Sequence, residues 1–331
     1  MRRLIAEFEE QNFTQIIFPH VKTDWVEYLD EAQTTFVNII NEIIKYQKCL
    51  VVCDDIQSVK SRFNDSDKLY FAEYETNDTW ARDCSALCVE DENSIKLLDF
   101  TFTGWGGKFE SSKDNEMSQS LQNHYNKELI HVNFVLEGGA VESNGVDTIL
   151  TTSKCMLNRN RNSNLSSLQI TQKLKEEFGA TNILYLEHGY LAGDDTDSHI
   201  DTLARFIDEK TVMYVTCQDR DDEHYQELKW MEDELKQFAE IYNYELIALP
   251  MSDAVYFENE RVPATYANFL FINGAVLVPT YGVKQDEEAL KIFRDTFEAR
   301  EVIGIDCSAL IRQHGSLHCV TMNFVNGIEI T

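Results

Sequence analysis

The chain has 331 residues, of which 43% are hydrophobic, and a formal net charge of −28 at pH 7. That charge excludes nucleic acids and anionic membrane surfaces as partners, because both require Lys and Arg to neutralise phosphates. A negative field of this size either attracts small cations to a cleft or simply keeps the protein soluble. Four prolines and no Gly/Ser-rich stretch leave no linker, so we expect one domain over residues 1–331.

The N-terminal segment lacks the pattern of a signal peptide, because Glu7, Glu9 and Glu10 interrupt any apolar core. No stretch reaches the roughly 18 apolar residues of a membrane span. The eight cysteines include no pair with the two-residue gap of zinc ribbons or redox motifs. These features predict a cytoplasmic protein with reduced thiols and no bound metal or cofactor.

A helix followed by a strand is predicted at five places along the chain. Apolar residues at helical spacing predict a helix over 24–48, with Asp24 as its N-cap, before a buried strand at 49–53. Four more helices are predicted at 114–127, 165–178, 222–242 and 285–299, each followed by a strand, at 129–135, 183–186, 245–249 and 302–305.

Paired apolar runs between these units predict β-hairpins. They occupy 86–89 with 95–98, 206–207 with 212–215, and 270–272 with 275–278 around the turn Asn273-Gly274. Each unit then contains two or three strands and one helix. Because no single unit can bury its own apolar face, the five units predict a radial α/β repeat architecture. An open α/β sheet is the alternative.

Five acidic or imidazole side chains crowd the segment 193–201, which ends in His199 and Asp201. If these two residues lie on a strand, both side chains point to the same face. A base and a carboxylate on one face suit proton transfer beside a bound cation. A solvated acidic loop with a hydrogen-bonded histidine is the structural alternative.

Four other segments carry chemically suggestive residues. Trp80 and Asp83 offer an aromatic face and a carboxylate to a planar cation, although a surface ion pair explains them as well. Glu137 precedes paired glycines, which allow close backbone approach but also occur in tight turns. The polar loop 157–162 could fold back over a site or simply cap the next helix, and we favour the structural interpretation. Cys319 is a candidate nucleophile with His199 as its base, the alternative being a buried structural thiol.

In a radial repeat, equivalent ends of the units converge on the axis. Four units each contribute candidate residues at a strand end or its turn. These are Asp83, Glu137, the pair His199 and Asp201, and Cys319. A thiolate, an imidazole and three carboxylates would then meet. This set does not suit phosphate, but it suits a guanidinium group, which is planar, cationic and rich in N–H donors.

These segments resemble the ordered motifs of the agmatine deiminases, which are grouped with the bacterial-type peptidylarginine deiminases in the guanidino-group modifying superfamily. The resemblance covers nearly the whole chain and rests on the segments 18–20, 80–83, 104–108, 137–139, 157–162, 195–201, 262–269 and 318–319. It implies a five-bladed, pseudo-symmetric α/β propeller of ββαβ-type repeats, which agrees with the five units predicted above. It also implies a homodimer.

The resemblance further implies hydrolysis of agmatine to N-carbamoylputrescine and ammonia, a step of polyamine biosynthesis, through a covalent thiouronium on Cys319. Asp83 and Asp201 would bind the guanidinium, and His199 would act as acid and base. Glu137 would hydrogen-bond His199 or the guanidinium, and Trp80 would pack on the substrate.

The chain departs from the family pattern at several positions. Ser198 replaces a usual glycine, Thr202 a usual asparagine and Glu142 a common histidine. The segment 314–317 replaces a run of glycines followed by Asn-Ile. None of these departures removes a proposed catalytic group.

Three other functions remain open at this point. One is deimination of free or peptidyl arginine. Another is a metal-dependent hydrolase that uses Asp195, Asp197, His199 and Asp201, although the chain has no paired-histidine ligand motif. The last is a non-catalytic polyamine-binding protein, which would leave Cys319 and His199 without a role.

Overall fold

The computed structural model describes residues 2–92 and 94–331 as an α/β chain with many short strands. The strands are β1 (Arg3–Leu4), β2 (Gln11–Ile17), β3 (Lys48–Cys53), β4 (Leu69–Glu73), β5 (Leu87–Asp91), β6 (Ser94–Thr101), β7 (Leu129–Val135), β8 (Glu142–Ser143), β9 (Thr148–Thr152), β10 (Asn182–Leu186), β11 (Ala204–Phe206), β12 (Thr211–Thr216), β13 (Glu245–Pro250), β14 (Val255–Phe257), β15 (Glu260–Val262), β16 (Leu270–Ile272), β17 (Ala275–Thr280), β18 (Glu301–Asp306) and β19 (Thr321–Val325).

Long helices alternate with short helical turns. The α-helices are α1 (Leu29–Tyr46), α2 (Ile56–Lys60), α3 (Ala81–Cys84), α4 (Gly104–Gly107), α5 (Ser112–Ser120), α6 (Ser153–Met156), α7 (Ser167–Phe178), α8 (Tyr225–Tyr242) and α9 (Gln285–Thr296). Single 3₁₀ turns occupy Val26–Tyr28, Gln122–His124, Gly138–Ala140, Ile200–Thr202 and Leu310–Gln313. None of these described helices combines the length and the hydrophobicity that a membrane crossing requires.

Five small sheets share one pairing scheme, in which two antiparallel strands are followed by a third strand in parallel. The five sets are β19–β2–β3, β5–β6–β7, β8–β9–β10, β11–β12–β13 and β16–β17–β18. In each set a helix lies in sequence between the second and third strands, because parallel neighbours need a crossover connection. The five predicted helix-then-strand units and the mixed α/β class are therefore confirmed.

The predicted hairpins are also present, with Asn273 and Gly274 joining β16 to β17. The predicted start of the first helix is wrong. Asp24 does not cap α1, because Trp25 is buried and its indole N–H bonds to the Asp78 carboxylate. Residues 26–28 therefore form a separate 3₁₀ turn, and α1 begins at Leu29. The helix predicted at 114–127 is shorter and ends at Ser120.

The helices bury their apolar faces against these sheets. In α1 the buried face includes Phe36, Ile39, Ile40 and Ile43, at the spacing that one helical face requires. Each of these side chains contributes roughly 2 kcal/mol by leaving water. This packing leaves the segments that precede each hairpin free to carry polar side chains.

Candidate active site

Five segments that lead into the first strand of a unit bring polar side chains together. The residues are Asp83 before β5, Glu137 before β8, His199 and Asp201 before β11, Asn268 before β16 and Cys319 before β19. All six are buried. The equivalent position in each unit thus contributes at least one polar group to the same place, and the contacts below join these groups across the units.

Cys319 lies between an amide and a carboxylate. The Asn268 side-chain N–H donates to Sγ at 3.2 Å, and Oδ2 of Asp201 lies 3.8 Å from Sγ. Burial raises the pKa of the Cys319 thiol well above its usual range, and the carboxylates of Asp201 and Asp83 raise it further. A bound cation would reverse part of this effect, because an adjacent positive charge favours a thiolate.

Asp83 and Asp201 present their carboxylates differently. Both oxygens of Asp83 accept hydrogen bonds, Oδ1 from the Gly139 N–H at 2.9 Å and Oδ2 from the Trp105 indole at 2.8 Å. Asp201 Oδ2 is 2.7 Å from Nδ1 of His318, whereas its Oδ1 is buried without a hydrogen-bond partner. An unpartnered buried oxygen is costly, so Oδ1 of Asp201 is a ready acceptor for a ligand N–H.

His199 lies between two carboxylates. Its Nδ1 is 3.6 Å from Oδ1 of Asp83, and its Nε2 is 4.0 Å from Oε2 of Glu137. Burial alone would lower the pKa of His199, but Asp83, Cys155 and Glu137 raise it well above its usual value. A histidine that holds its proton strongly is suited to donate it when a basic leaving group departs.

Gly139 permits this convergence. A Cβ at this position would lie 2.8 Å from Oδ1 of Asp83, 2.8 Å from Nδ1 of His199 and 3.0 Å from Oδ2 of Asp201. Any side chain would therefore push the acids and the base apart. The close approach that the paired glycines allow is thus used by functional side chains.

Glu137 lies 4.0 Å from Nε2 of His199, beyond hydrogen-bond distance, and its position is fixed by Arg161. Both of its oxygens accept from Nε of Arg161, at 2.8 and 3.1 Å. Arg161 also donates from Nη1 to Asp197 at 2.7 Å and from Nη2 to the Thr196 carbonyl at 2.9 Å. The loop 157–162 consequently folds back onto the site, and its interpretation as a cap of the next helix is wrong, because Ser166 caps α7.

A cavity of about 160 Å³ opens from Cys319 toward the surface. Its walls include Trp80, Trp105 and Phe109, together with the carboxylates of Asp24, Asp78, Asp83 and Asp195. A Cβ on Gly315 would lie 2.1 Å from the Trp80 ring, so a side chain at this position would displace the indole. Asp78 accepts from the Trp80 indole at 2.9 Å and fixes its orientation.

His199 and Asp201 do not lie on a strand, the arrangement in which both side chains would point to one face, but in a turn just before one, where the sequence analysis allowed them. They flank Ile200 in the 3₁₀ turn Ile200–Thr202, and the strand begins only at Ala204. The turn forms because Asp194 accepts from the Ser198 N–H at 2.7 Å and from the hydroxyl of Thr196, and Thr196 in turn accepts from the His199 N–H at 3.1 Å.

The residues of the metal-binding alternative, Asp195, Asp197, His199 and Asp201, do not form a cluster of ligand atoms. Within residues 2–92 and 94–331, the one cluster of ligand atoms close enough for a metal comprises Glu137, Cys155 and His199. Asp197 is instead paired with Lys108 at 2.9 Å and with Arg161 at 2.7 Å. Glu137 in the cluster is likewise neutralised by Arg161.

The backbone explains one departure from the family pattern. Ser198 has a φ of 66°, in the left-handed region that glycine adopts without strain, and its hydroxyl is buried without a partner. We expect Ser198→Gly to raise the free energy of unfolding by about 1 kcal/mol, because both costs disappear. Urea unfolding of the two proteins measures the difference, and a lower midpoint for the variant would contradict this account.

Two residues of the site have no assigned role in the sequence interpretation. Asn268 holds the sulfur of Cys319, and Arg161 holds Glu137. Both lie in segments that carry the family resemblance. The position of Asn268 just before a predicted hairpin, equivalent to that of the other site residues, is the signal that could have identified it.

Comparison with known proteins places this chain. The profile of the Porphyromonas-type peptidyl-arginine deiminases matches residues 3–324, and the chain belongs to that family. Its structure is similar to that of an agmatine deiminase from C. jejuni with substrate bound, with 42% identity and a TM-score of 0.95 over 99% of this chain and 97% of the other.

Two further relatives bear on the activity. A Porphyromonas gingivalis protein provisionally called an arginine deiminase is 45% identical, with a TM-score of 0.95 over 99% of this chain and 100% of the other. The agmatine deiminase of Stutzerimonas stutzeri is 28% identical over 96% of this chain and 93% of its own.

Proposed function

We propose that this protein hydrolyses agmatine to N-carbamoylputrescine and ammonia through a covalent intermediate on Cys319. The observation that carries the proposal is a buried thiol beside two carboxylates and an imidazole, at the inner end of a cavity lined by acids. The similarity to agmatine deiminases over nearly the whole chain supports it. The reaction supplies a step of polyamine biosynthesis.

The first half-reaction joins sulfur to carbon. Asp83 and Asp201 accept N–H groups of the guanidinium, which keeps it protonated and places its carbon beside Sγ. The positive charge of the bound substrate favours loss of the Cys319 thiol proton to water, and the resulting thiolate attacks that carbon. The C–N bond then breaks as His199 gives its proton to the departing nitrogen, so that ammonia leaves and a thiouronium remains.

The second half-reaction reverses the roles of these groups. His199, now neutral, removes a proton from water, and the resulting hydroxide attacks the thiouronium carbon. The hydroxyl proton of the tetrahedral intermediate passes to the sulfur as the C–S bond breaks, so that the urea group of N-carbamoylputrescine forms, the Cys319 thiol is restored and His199 is again protonated. Glu137 does not contact the reacting atoms in this scheme; with Arg161 it supports the position of His199.

The cavity favours a substrate that is cationic at both ends. Asp24, Asp78 and Asp195 line it together with Asp83, and its described lining contains no lysine or arginine. The ammonium of agmatine is attracted by these acids, and Trp80 packs against the methylene chain. The α-carboxylate of free arginine would instead be repelled.

Ammonia release from agmatine and from arginine tests the proposed substrate. We expect agmatine to react with a kcat/KM at least tenfold above that of arginine. Equal or faster turnover of arginine, free or in a peptide, would overturn the substrate assignment while leaving deimination in place.

Trapping tests the mechanism. In the His199→Ala variant, agmatine followed by an acid quench should leave a mass increase on the peptide that contains Cys319, because the intermediate lacks a base for its hydrolysis. A modification on any other cysteine, or a non-covalent reaction that proceeds at the wild-type rate, would contradict the proposed chemistry.

Asp195 is expected to contribute to binding of the substrate ammonium. Burial raises the pKa of Asp195 to about 6, so the group is mostly ionised at pH 7. We expect Asp195→Asn to raise KM for agmatine about tenfold, the loss of one charge-assisted contact, with a smaller effect on kcat. The wild-type KM should rise below pH 6, where Asp195 takes up a proton, and the rise should be smaller in the variant, where Asp78 is the remaining acid that titrates near this range.

An exposed carboxylate provides the control for this variant. Asp65 lies at the surface, outside the cavity lining. Asp65→Asn removes the same charge from the protein and should leave KM unchanged. A similar KM for Asp195→Asn and the wild type would remove Asp195 from the binding site.

We also propose how the five units are arranged in the molecule. We place the five units radially, as the blades of one α/β propeller that forms a single domain over residues 1–331. The support is that every unit contributes to the site from an equivalent position. Eight unpaired cysteines support a reducing, cytoplasmic setting. Light scattering would test the homodimer that the family resemblance implies.

A further inference from the structure

A second cavity of about 60 Å³ lies behind the site. Its walls include Arg82, Gly138 and His318, which are the sequence neighbours of Asp83, Gly139 and Cys319. The two cavities share no lining residue. Two segments therefore contribute successive residues to the two cavities, Arg82 with Asp83 and His318 with Cys319, so that groups in the rear cavity can act on the catalytic groups through a single residue.

The rear cavity contains a buried carboxylate, Glu7, held by three cationic side chains. Its Oε2 lies 2.5 Å from Nε2 of His318, 3.0 Å from Nη2 of Arg205 and 3.1 Å from Nη2 of Arg82. Burial alone would raise the pKa of Glu7, but His318, Arg205 and Arg82 hold it well below its usual value. Glu7 is therefore a fixed negative charge next to His318.

His318 connects this charge to the site. Its Nδ1 is 2.7 Å from Oδ2 of Asp201, and its Nε2 faces Glu7. Ionised carboxylates can only accept hydrogen bonds, so this geometry favours hydrogen on both ring nitrogens, which is the charged form of the ring. The other charged groups around this contact are Arg82 and Arg205 beside Glu7, Glu142 on Arg205, and Cys319 and His199 on the substrate side.

The contact leaves Asp201 with one oxygen held and the other free. Burial alone would raise the pKa of Asp201, but His318, His199 and Arg205 lower it. Its Oδ2 is tied to His318, and its Oδ1 has no partner. A carboxylate held in this way meets a guanidinium N–H without first having to rotate.

We propose that Glu7 and His318 are positioning residues for the hydrolysis proposed above. Glu7 keeps His318 charged, and His318 holds Asp201 ionised with Oδ1 directed at the substrate guanidinium. This inference rests on the proposed function, in which Asp201 binds the guanidinium. It gives a catalytic consequence to a residue more than three hundred positions away from the nucleophile in the sequence.

The test compares three isosteric or near-isosteric variants. Glu7→Gln removes the charge behind His318, and His318→Gln keeps an N–H donor for Asp201 but removes the ring charge. Glu142→Gln is the matched control, since Glu142 is a buried carboxylate of the same cluster that bonds Arg205 at 2.7 Å rather than His318. Thermal unfolding establishes which variants are folded.

The readout is the pH dependence of kcat/KM for agmatine. Loss of positive charge at His318 raises the pKa of Asp201, so the carboxylate is lost at a higher pH and the acid limb moves upward. We expect a roughly tenfold lower kcat/KM at neutral pH for Glu7→Gln and His318→Gln, because Oδ1 of Asp201 is no longer held toward the guanidinium, together with an upward shift of the acid limb. Glu142→Gln should keep the wild-type profile even if its melting temperature falls.

Alkylation of Cys319 by iodoacetamide gives a second readout that needs no substrate. The charge of Asp201 influences the Cys319 thiol, so the pH midpoint of alkylation, followed on the Cys319 peptide by mass spectrometry, should move in both test variants. Folded variants with wild-type kinetic and alkylation profiles would overturn the inference. A wild-type protein that releases no ammonia from agmatine would instead overturn the proposed function, and alkylation would still decide the link between Glu7 and Asp201.

Discussion

Replacing Cys319 by serine is expected to lower kcat for agmatine by about 10⁴-fold or more, because a nucleophile and its base act as one unit. A guanidinium carbon is a weak electrophile, and a serine hydroxyl ionises far less readily than a thiol. The variant should still bind agmatine with an affinity within a few-fold of the wild type, since Asp83, Asp201 and the cavity walls are unchanged. Ammonia assays and calorimetry measure the two quantities.

The control is another buried cysteine outside the site. The buried thiol of Cys217 contacts the Asp219 carbonyl, outside the cavity lining. Cys217→Ser should therefore leave turnover unchanged. Incubation with a chelator should also have no effect on the wild type. Activity that survives in Cys319→Ser but disappears with chelator would restore the metal-dependent alternative.

Replacing Arg161 by methionine is expected to lower the free energy of unfolding by about 3 to 5 kcal/mol, the usual cost of leaving a buried charge without its partner. Arg161 is the ion-pair partner of both Glu137 and Asp197, and the Glu137 side chain is only 1% exposed. Methionine preserves much of the side-chain volume, so the effect isolates the lost charge. Urea unfolding at constant m-value measures the change.

Lys108 supplies the control for this variant. It also pairs with Asp197, but its side chain is 35% exposed, so Lys108→Met should cost less than about 1 kcal/mol. If Arg161→Met were as stable as Lys108→Met, the buried pair would not support the site. Any folded fraction of Arg161→Met should also have a reduced kcat, because Glu137 no longer has a fixed position beside His199.

The sequence predicts the elements of this fold well, because the helices and strands of each unit follow the local spacing of apolar residues. The strand at 129–135 and the end of the helix at residue 178 are found where apolar spacing predicts them. The identity of the central residues follows equally well from the convergence of strand ends. These features depend on neighbours in the sequence, which a pattern can register.

The remainder depends on contacts that no local pattern contains. The turn at His199 is set by hydrogen bonds from Asp194 and Thr196, and an alternating His-x-Asp reads the same way in a strand. Arg161 looks like any arginine in a polar loop until Glu137 is placed beside it. Glu7 is read only as a residue that interrupts a signal peptide, although it lies behind the site in the folded chain.

The sheet that joins the two ends of the chain has a consequence for synthesis. β2 pairs with β19, so that edge of β2 has no partner strand until β19 has been synthesised. Cys319 precedes β19 and reaches its place only when that pairing forms. A growing chain therefore has no nucleophile in position until β19 has been synthesised, and a guanidine can meet a correctly placed thiol only after that pairing has formed.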